Sequence, residues 1–324
     1  MNWWVYRSQW HFRGGKRIGM KKEKIAQIEE KIKSAFGSRF IILKMLGNGG
    51  MGCVFHVRST EAETEEYALK VVDKEAYGNK MDFMREAEVM QSLDHPGIPK
   101  IIDVTQDESY VYMVLEYIRG EPLSAIIGKC GKIDEGYIGI WMKSIATTLN
   151  YIHKQGLIHR DIKPDNIMLT HDCQIKIIDF GLARKKNESD EADKKVFGTL
   201  SYIAPERFSK KQGTVQTDIY GFGATMYYMT TGTKPENMKN NPMDSYSIME
   251  KNLKEATSCQ IYDILTKSIA VKPYQRSVSF EEILRNLSEK ENSTYIEDND
   301  ASKKQSVIVL LMLAGLFLIG VLST

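Results

Sequence analysis

The stretch His159–Met168, HRDIKPDNIM, sets an imidazole, two cations, two acids and a carboxamide within eight residues before the chain turns apolar. Such a crowded polar loop between apolar runs marks a place where a rigid scaffold holds reactive groups at fixed spacing. The remainder of the chain has to say which reaction the loop serves.

At 324 residues the chain is long enough to bury a large core, and its length suggests two lobes or domains. Lys and Arg number 44 against 42 Asp and Glu, so no whole-protein excess of charge marks a polyanion binder, and nucleic acid is not an expected partner. Cys53, Cys130, Cys173 and Cys259 are scattered and form no CxxC pair, which argues against a zinc site or a disulfide framework and fits a reducing compartment.

Residues 307–322, VIVLLMLAGLFLIGVL, carry no polar side chain. As a helix these sixteen residues rise roughly 24 Å, short of the ~30 Å hydrocarbon core but close to it once flanking residues are added. Twelve of them are Leu, Ile, Val or Phe, at roughly 0.3 to 0.6 kcal/mol each in favour of insertion. The expectation is a single transmembrane helix, a C-terminal anchor in the cell membrane. Lys303 and Lys304 precede it, which places the body of the protein on the cytoplasmic side. A buried core helix is the alternative. Residues 290–306 are polar and aperiodic and read as a flexible tether.

The N-terminal residues 1–38 read as a basic aromatic leader followed by a short helix. The leader holds Trp3, Trp4 and Trp10 with Arg7, Arg13, Lys16 and Arg17 and no acid. Aromatic and cationic side chains of this kind suit a membrane interface; a disordered leader, or a start at Met20, would carry the same composition. Ile25, Ile28, Ile32 and Phe36 then recur at helical spacing, so a short helix packing one apolar stripe is expected.

Phe40–Val57, FIILKMLGNGGMGCVFHV, alternates as a strand, breaks at four glycines and resumes as a strand. Gly47, Gly49 and Gly52 have GxGxxG spacing, but strand leads to strand here, whereas a dinucleotide-binding turn leads into a helix. Glycines let backbone N–H groups approach phosphate oxygens. Lys70 lies inside the apolar strand YALKVVDK, where a cation is costly without an anion. A nucleotide phosphate is one candidate. Glu86 and Glu88, on the expected helix that follows, are others, and periodicity does not choose between them.

The glycine loop, Lys70, an acid on the next helix, HRDIKPDN, DFG at Asp179–Gly181 and APE at Ala204–Glu206 follow the order of the protein-kinase signature. Over residues 39–289 the chain resembles a bacterial eukaryotic-like (Hanks-type) serine/threonine protein kinase. The resemblance implies an α+β, bilobal fold, with a small β-rich lobe over about 39–117 and a larger helical lobe over about 118–289. It implies ATP as phosphoryl donor, Mg2+ (or Mn2+ in its place) as metal, and proteins bearing Ser or Thr as substrates.

Roles follow from the same likeness. Asp161 orients the substrate hydroxyl and accepts its proton; Lys163 stabilises the transferring phosphoryl group. Asn166 and Asp179 are hard oxygen ligands for the metal, flanking an expected hairpin. Lys70 grips the phosphates and pairs with Glu86, which stands ten residues before Pro96 as the family pattern has it. The purine slot is lined by Val54, Ala68 and Met168, with Leu115 as gatekeeper and the Glu116 carbonyl and Ile118 amide as hinge partners; Leu46, Gly47, Gly49 and Gly52 also bind the nucleotide, and Glu121 could meet the ribose. His159 packs with Phe180, Met90 and Ile101. Asp218 braces the loop backbone, and Glu206 pairs with Arg276.

Lys163 and GTLSYIAPE, with Thr199, resemble serine/threonine rather than tyrosine kinases. The segment EADKK carries no hydroxyl where the family often places a phosphothreonine, so Glu191 or Asp193 is expected to stand in for it, with phosphorylated Ser189 as the competitor. Autophosphorylation and self-association in the membrane belong to the same expectation. A membrane-anchored pseudokinase scaffold is the alternative function, and a small-molecule phosphotransferase a more distant one.

Overall fold

The computed structural model describes residues 12–13, 16–17, 22–49, 52–62, 64–77, 87–180, 183–185, 199–209 and 211–294. Glu86, Ser189, Glu191, Asp193 and the 307–322 segment lie outside the described residues. Within the leader, Phe12–Arg13 pairs antiparallel with Lys16–Arg17.

The small lobe begins with helix α1 (Lys22–Phe36) and continues through strands β1 (Phe40–Gly49), β2 (Gly52–Ser59), β3 (Glu66–Asp73), β4 (Ile101–Gln106) and β5 (Tyr110–Glu116). They form one antiparallel sheet in the order β1-β2-β3-β5-β4. The central strands are apolar almost without interruption because both faces are covered. Phe55, Val57, Leu69, Val71, Tyr112 and Val114 face one way and close a core with Ile28 and Ile32 of α1. The alternate residues Val54, Ala68, Val72, Val111, Met113 and Leu115 face the other way, into the core shared with the large lobe. The stripe at Ile25, Ile28, Ile32 and Phe36 thus forms the expected packing helix, and its partner is the outer face of the sheet.

The glycine hairpin needs close backbone contact. A Cβ at Gly52 would stand 2.1 Å from the Val71 carbonyl oxygen, so only glycine lets β2 lie this near β3.

The large lobe is built around helices α2 (Leu123–Cys130), α3 (Glu135–Lys154), α4 (Val215–Thr231), α5 (Pro242–Ala256), α6 (Cys259–Ser268) and α7 (Phe280–Thr294). Asp134 caps α3 by accepting from Gly136 N–H at 3.0 Å. α4 carries a Thr214/Thr217 capping box, stops at left-handed Gly232 and is buried along nearly its whole length. Five residues at the end of α7, 290–294, continue as helix into the stretch read as tether. Lys290 and Glu291, at the start of this stretch, are residue types that favour helix.

Short strands line the junction of the lobes: β6 (Gly120–Pro122), β7 (Leu157–Ile158), β8 (Ile167–Thr170), β9 (Ile175–Ile177) and β10 (Arg184–Lys185). β8 pairs with both β9 and β6, and β7 with β10. Two lobes, a β-rich one and a helical one, are thus joined through residues 116–120, as the bilobal expectation had it. Among the described residues no helix is long and apolar enough to cross a membrane.

Candidate active site

The polar loop rests on α4. A Cβ at Gly221 would approach the Ile162 carbonyl oxygen to 2.8 Å, so the helix and the loop are in backbone contact. Asp218, one turn earlier, accepts from His159 N–H at 2.8 Å and Arg160 N–H at 2.7 Å. Arg160 has φ 69°, a left-handed conformation that a non-glycine residue adopts at a cost of ~1 kcal/mol or more. The two bonds to Asp218 hold the chain in that conformation. His153 Nε2, from α3, lies 2.8 Å from the same carboxylate. Burial would raise the Asp218 carboxyl, but the His153 contact and the loop N–H donors outweigh it and hold the group ionised.

This turn aims Asp161, Lys163 and Asn166 at one point. Lys163 Nζ donates to Asp161 Oδ2 at 2.7 Å. Burial would lower the Lys163 ammonium, yet the Asp161 charge outweighs it and raises the group, so the ammonium stays charged. Asn166 Nδ2 donates to both the Asp161 main-chain oxygen and Asp161 Oδ2, at 2.8 Å each. Those donations orient the amide and leave the buried Asn166 Oδ1 with no hydrogen-bond partner.

The hairpin of β8 and β9 brings Asp179 to the same place. Ile178 N–H donates to the Asn166 main-chain oxygen at 2.8 Å, just beyond the Ile167–Ile177 pair. Asp179, at φ 66°, lies 3.2 Å through Oδ1 from Lys70 Nζ on β3. Burial alone would raise the Asp179 carboxyl; Lys70 and Lys163 outweigh it and hold it down to about 2. Phe180 is fully buried, with its ring centroid 4.8 Å from that of His159. Met90 and Ile101 join the same core, and burial pushes the His159 imidazolium down.

These groups suit a magnesium ion. Asn166 Oδ1 is an oxygen donor lacking a partner, Asp179 is a carboxylate held charged, and an ion of this kind takes one or two carboxylates and fills its remaining positions with phosphate and water.

The slot residues fall into two groups. Leu46, Val54, Ala68 and Leu115 are buried in the main core as a roof, while Ile118 and Met168 form a small cluster with Ile178 on the floor side. Gly47, Gly49 and Gly52 sit at the β1–β2 end above them. The Glu116 side chain turns away to accept from Lys176 Nζ at 2.6 Å and Lys100 N–H at 3.2 Å. Glu121 is held by Lys129 at 2.6 Å. Glu88, the rival of Glu86 as partner for Lys70, is exposed. Below the loop, Arg276 meets Glu206 through two parallel contacts at 2.8 and 2.9 Å.

Three side chains at the site escape sequence reading: His153 beneath Asp218, Lys176 behind the hinge, and His56 against Tyr117, whose rings stack at 3.8 Å. Lys176 carries a faint signal, a cation in the short strand IKI beside a hinge acid. The direction of the other two is set by packing between elements distant in sequence, which single-chain periodicity does not report.

Residues 40–295 match the protein kinase domain family, and the chain belongs to that family. Within it, the chain is 32% identical over 279 residues to a probable serine/threonine-protein kinase of Clostridium acetobutylicum, covering 83% of this chain and 42% of the relative. A probable serine/threonine-protein kinase of Clostridium perfringens is 30% identical over 262 residues, 78% of this chain and 38% of the relative. Human 3-phosphoinositide-dependent protein kinase 1 is 35% identical over 216 residues, 65% of this chain and 38% of the relative. The chain spans less than half the length of each of these relatives.

Proposed function

We propose that this chain transfers the γ-phosphate of ATP to serine and threonine hydroxyls of proteins, itself included. The observation that carries the reading is the convergence of residues from both lobes: Lys163 and Asn166 meet on Asp161, Lys70 of the small lobe meets Asp179, and the Lys163 charge acts on Asp179 as well. Asp161 accepts the hydrogen bond of the incoming hydroxyl and takes its proton, its carboxylate fixed by Asn166 and Lys163. Lys163 offers its charge to the phosphoryl group in transit, and Lys70 offers its own to the phosphates that stay behind. Asn166 Oδ1 and the Asp179 carboxylate would hold Mg2+ or Mn2+. The metal, when bound, neutralises phosphate charge as it develops. The roof and floor residues exclude water around the purine.

We further propose that residues 307–322 tether this domain to the cell membrane with the kinase domain on the cytoplasmic side. The support is the unbroken apolar run preceded by Lys303 and Lys304. Deleting residues 307–322 should move the protein from vesicle-bound to free fractions on flotation.

The test of activity is the full chain in lipid vesicles with magnesium, ATP and a generic protein substrate such as casein, beside Asp161→Asn. Phosphoserine or phosphothreonine is expected with the first and none with the second. ATP binding without transfer in the unsubstituted chain would replace this reading with that of a membrane-anchored pseudokinase scaffold.

A further inference from the structure

We propose that His56 is a positioning residue for the nucleotide, a clasp that ties the roof of the purine slot to the hinge and sets the height of the slot; this rests on the ATP-dependent reading above. His56 stands on β2, two residues beyond Val54 and hence on the same face, and its cross-strand partner on β3 is Ala68, itself paired with Leu115. The row that includes His56 is therefore the roof of the slot. The His56 ring, 7% exposed, lies flat on Tyr117, with centroids 3.8 Å apart and planes at 12°. Tyr117 is the hinge residue between Glu116 and Ile118.

A second set of contacts fixes the orientation of the stack. His56 Nε2 lies 3.2 Å from Glu66 Oε2 at the start of β3, and the same oxygen lies 3.1 Å from Arg119 Nη2, one residue past Ile118. The clasp therefore grips the hinge on both sides of Ile118. On the floor side, Glu116 is held by Lys176 of β9. The hinge segment is thus pinned from above by His56 and from below by Lys176, and the separation of roof from floor follows from these two attachments.

The chemistry suits histidine better than an aliphatic residue. A flat ring matches the tyrosine face, and its Nε2 stands beside the Glu66 carboxylate at 3.2 Å without hydrogen-bond geometry. Burial pushes the His56 imidazolium down against the pull of Glu66, so a neutral ring lies on the phenol at neutral pH.

The test measures steady-state kinetics of the full chain in vesicles, with thermal unfolding recorded for each variant. His56→Leu keeps volume and loses the stack; His56→Phe keeps the stack. Loss of a stacked aromatic pair should raise the KM for ATP roughly 2- to 10-fold. The kcat and the KM for the protein substrate should stay within about twofold, and His56→Phe should restore the KM for ATP. Tyr117→Leu removes the same stack from the hinge side and should give the same shift, which keeps the test alive if His56→Leu fails to fold. An unchanged KM for ATP in a folded His56→Leu or Tyr117→Leu protein overturns the inference, as does a His56→Phe protein as impaired as His56→Leu. The proposed function fails separately, through an unsubstituted chain that transfers no phosphate.

Discussion

Lys70 Nζ and Asp179 Oδ1 stand 3.2 Å apart, joining the third strand of the small lobe to the end of the hairpin in the large one. The contact explains how two strained or costly features persist together. A lysine within an apolar strand finds an anion, and a buried carboxylate at φ 66° finds a cation. The pair therefore joins a charge of the small lobe to one of the large lobe across the cleft.

A pH dependence follows. The Asp179 carboxyl is held down to about 2 from an ordinary value of 3.8, so between these values the unfolded chain binds a proton that the folded one does not. Its contribution is complete above about pH 4 and is lost as the pH falls towards 2, an amount of roughly 2 kcal/mol. Lys70→Met should flatten this part of the stability profile. His159, buried and pushed down, adds its own acid lability to both proteins, so the difference between them isolates the pair. Urea unfolding at a series of pH values between 2 and 5 measures it; parallel profiles for the two proteins would contradict the assignment.

Asn166 makes two donations and leaves one oxygen unmatched. Asn166→Ala removes the orienting contacts to Asp161 along with the oxygen donor, and turnover should fall about 10²-fold or more. If the oxygen serves the metal, the magnesium concentration for half-maximal rate should rise as well. A magnesium titration of the variant separates the two effects. A fall in rate at unchanged magnesium requirement would leave Asn166 as a support for Asp161 alone.

Much of this site is legible in the sequence because it is local. Asp161, Lys163 and Asn166 fall within six residues, so any tight turn brings them together, and the DFG motif supplies Asp179 from a hairpin that short apolar strands announce. The likeness to kinases also anticipates Asp218 beneath the loop and Glu206 against Arg276. The stripe of α1 announces a helix but not its partner. The largely apolar strands β2, β3 and β5 imply a cover on both faces, yet nothing in their pattern says which element supplies it. His153 and His56 are harder still: each is a polar residue in an otherwise ordinary helix or strand, and only the packing of a distant element reveals what it touches.

Arg276 is bound on every side. Beyond Glu206 it donates to the main-chain oxygens of Ala270, Gln216 and Val271, and its guanidinium lies 5.0 Å from the centre of the Tyr220 ring. Glu206→Gln leaves a buried guanidinium without its countercharge and should cost about 3 kcal/mol or more, seen as a lower urea midpoint. Arg276→Lys should fare little better, since an ammonium cannot reproduce the forked contact. Full stability in Arg276→Lys would show that the charge alone matters there.

Helix α1 should behave as part of the small lobe rather than as an appendage. Ile28 is fully buried and Ile32 is 2% exposed against the sheet face that carries Leu69 and Val71, the neighbours of Lys70 in β3. Lys24 adds a contact to Asp73 at the end of the same strand. Ile28→Ala or Ile32→Ala should therefore cost about 2 to 5 kcal/mol. Because α1 backs the strand that presents Lys70, hydrogen exchange should rise on both sides of the sheet, in α1 and in β3 together. A protein beginning at residue 39 would leave Phe55, Val57 and Tyr112 uncovered and should aggregate or bind hydrophobic dyes. A stable, soluble protein with this truncation, and with β3 as protected as in the full chain, would show that the sheet does not need its cover.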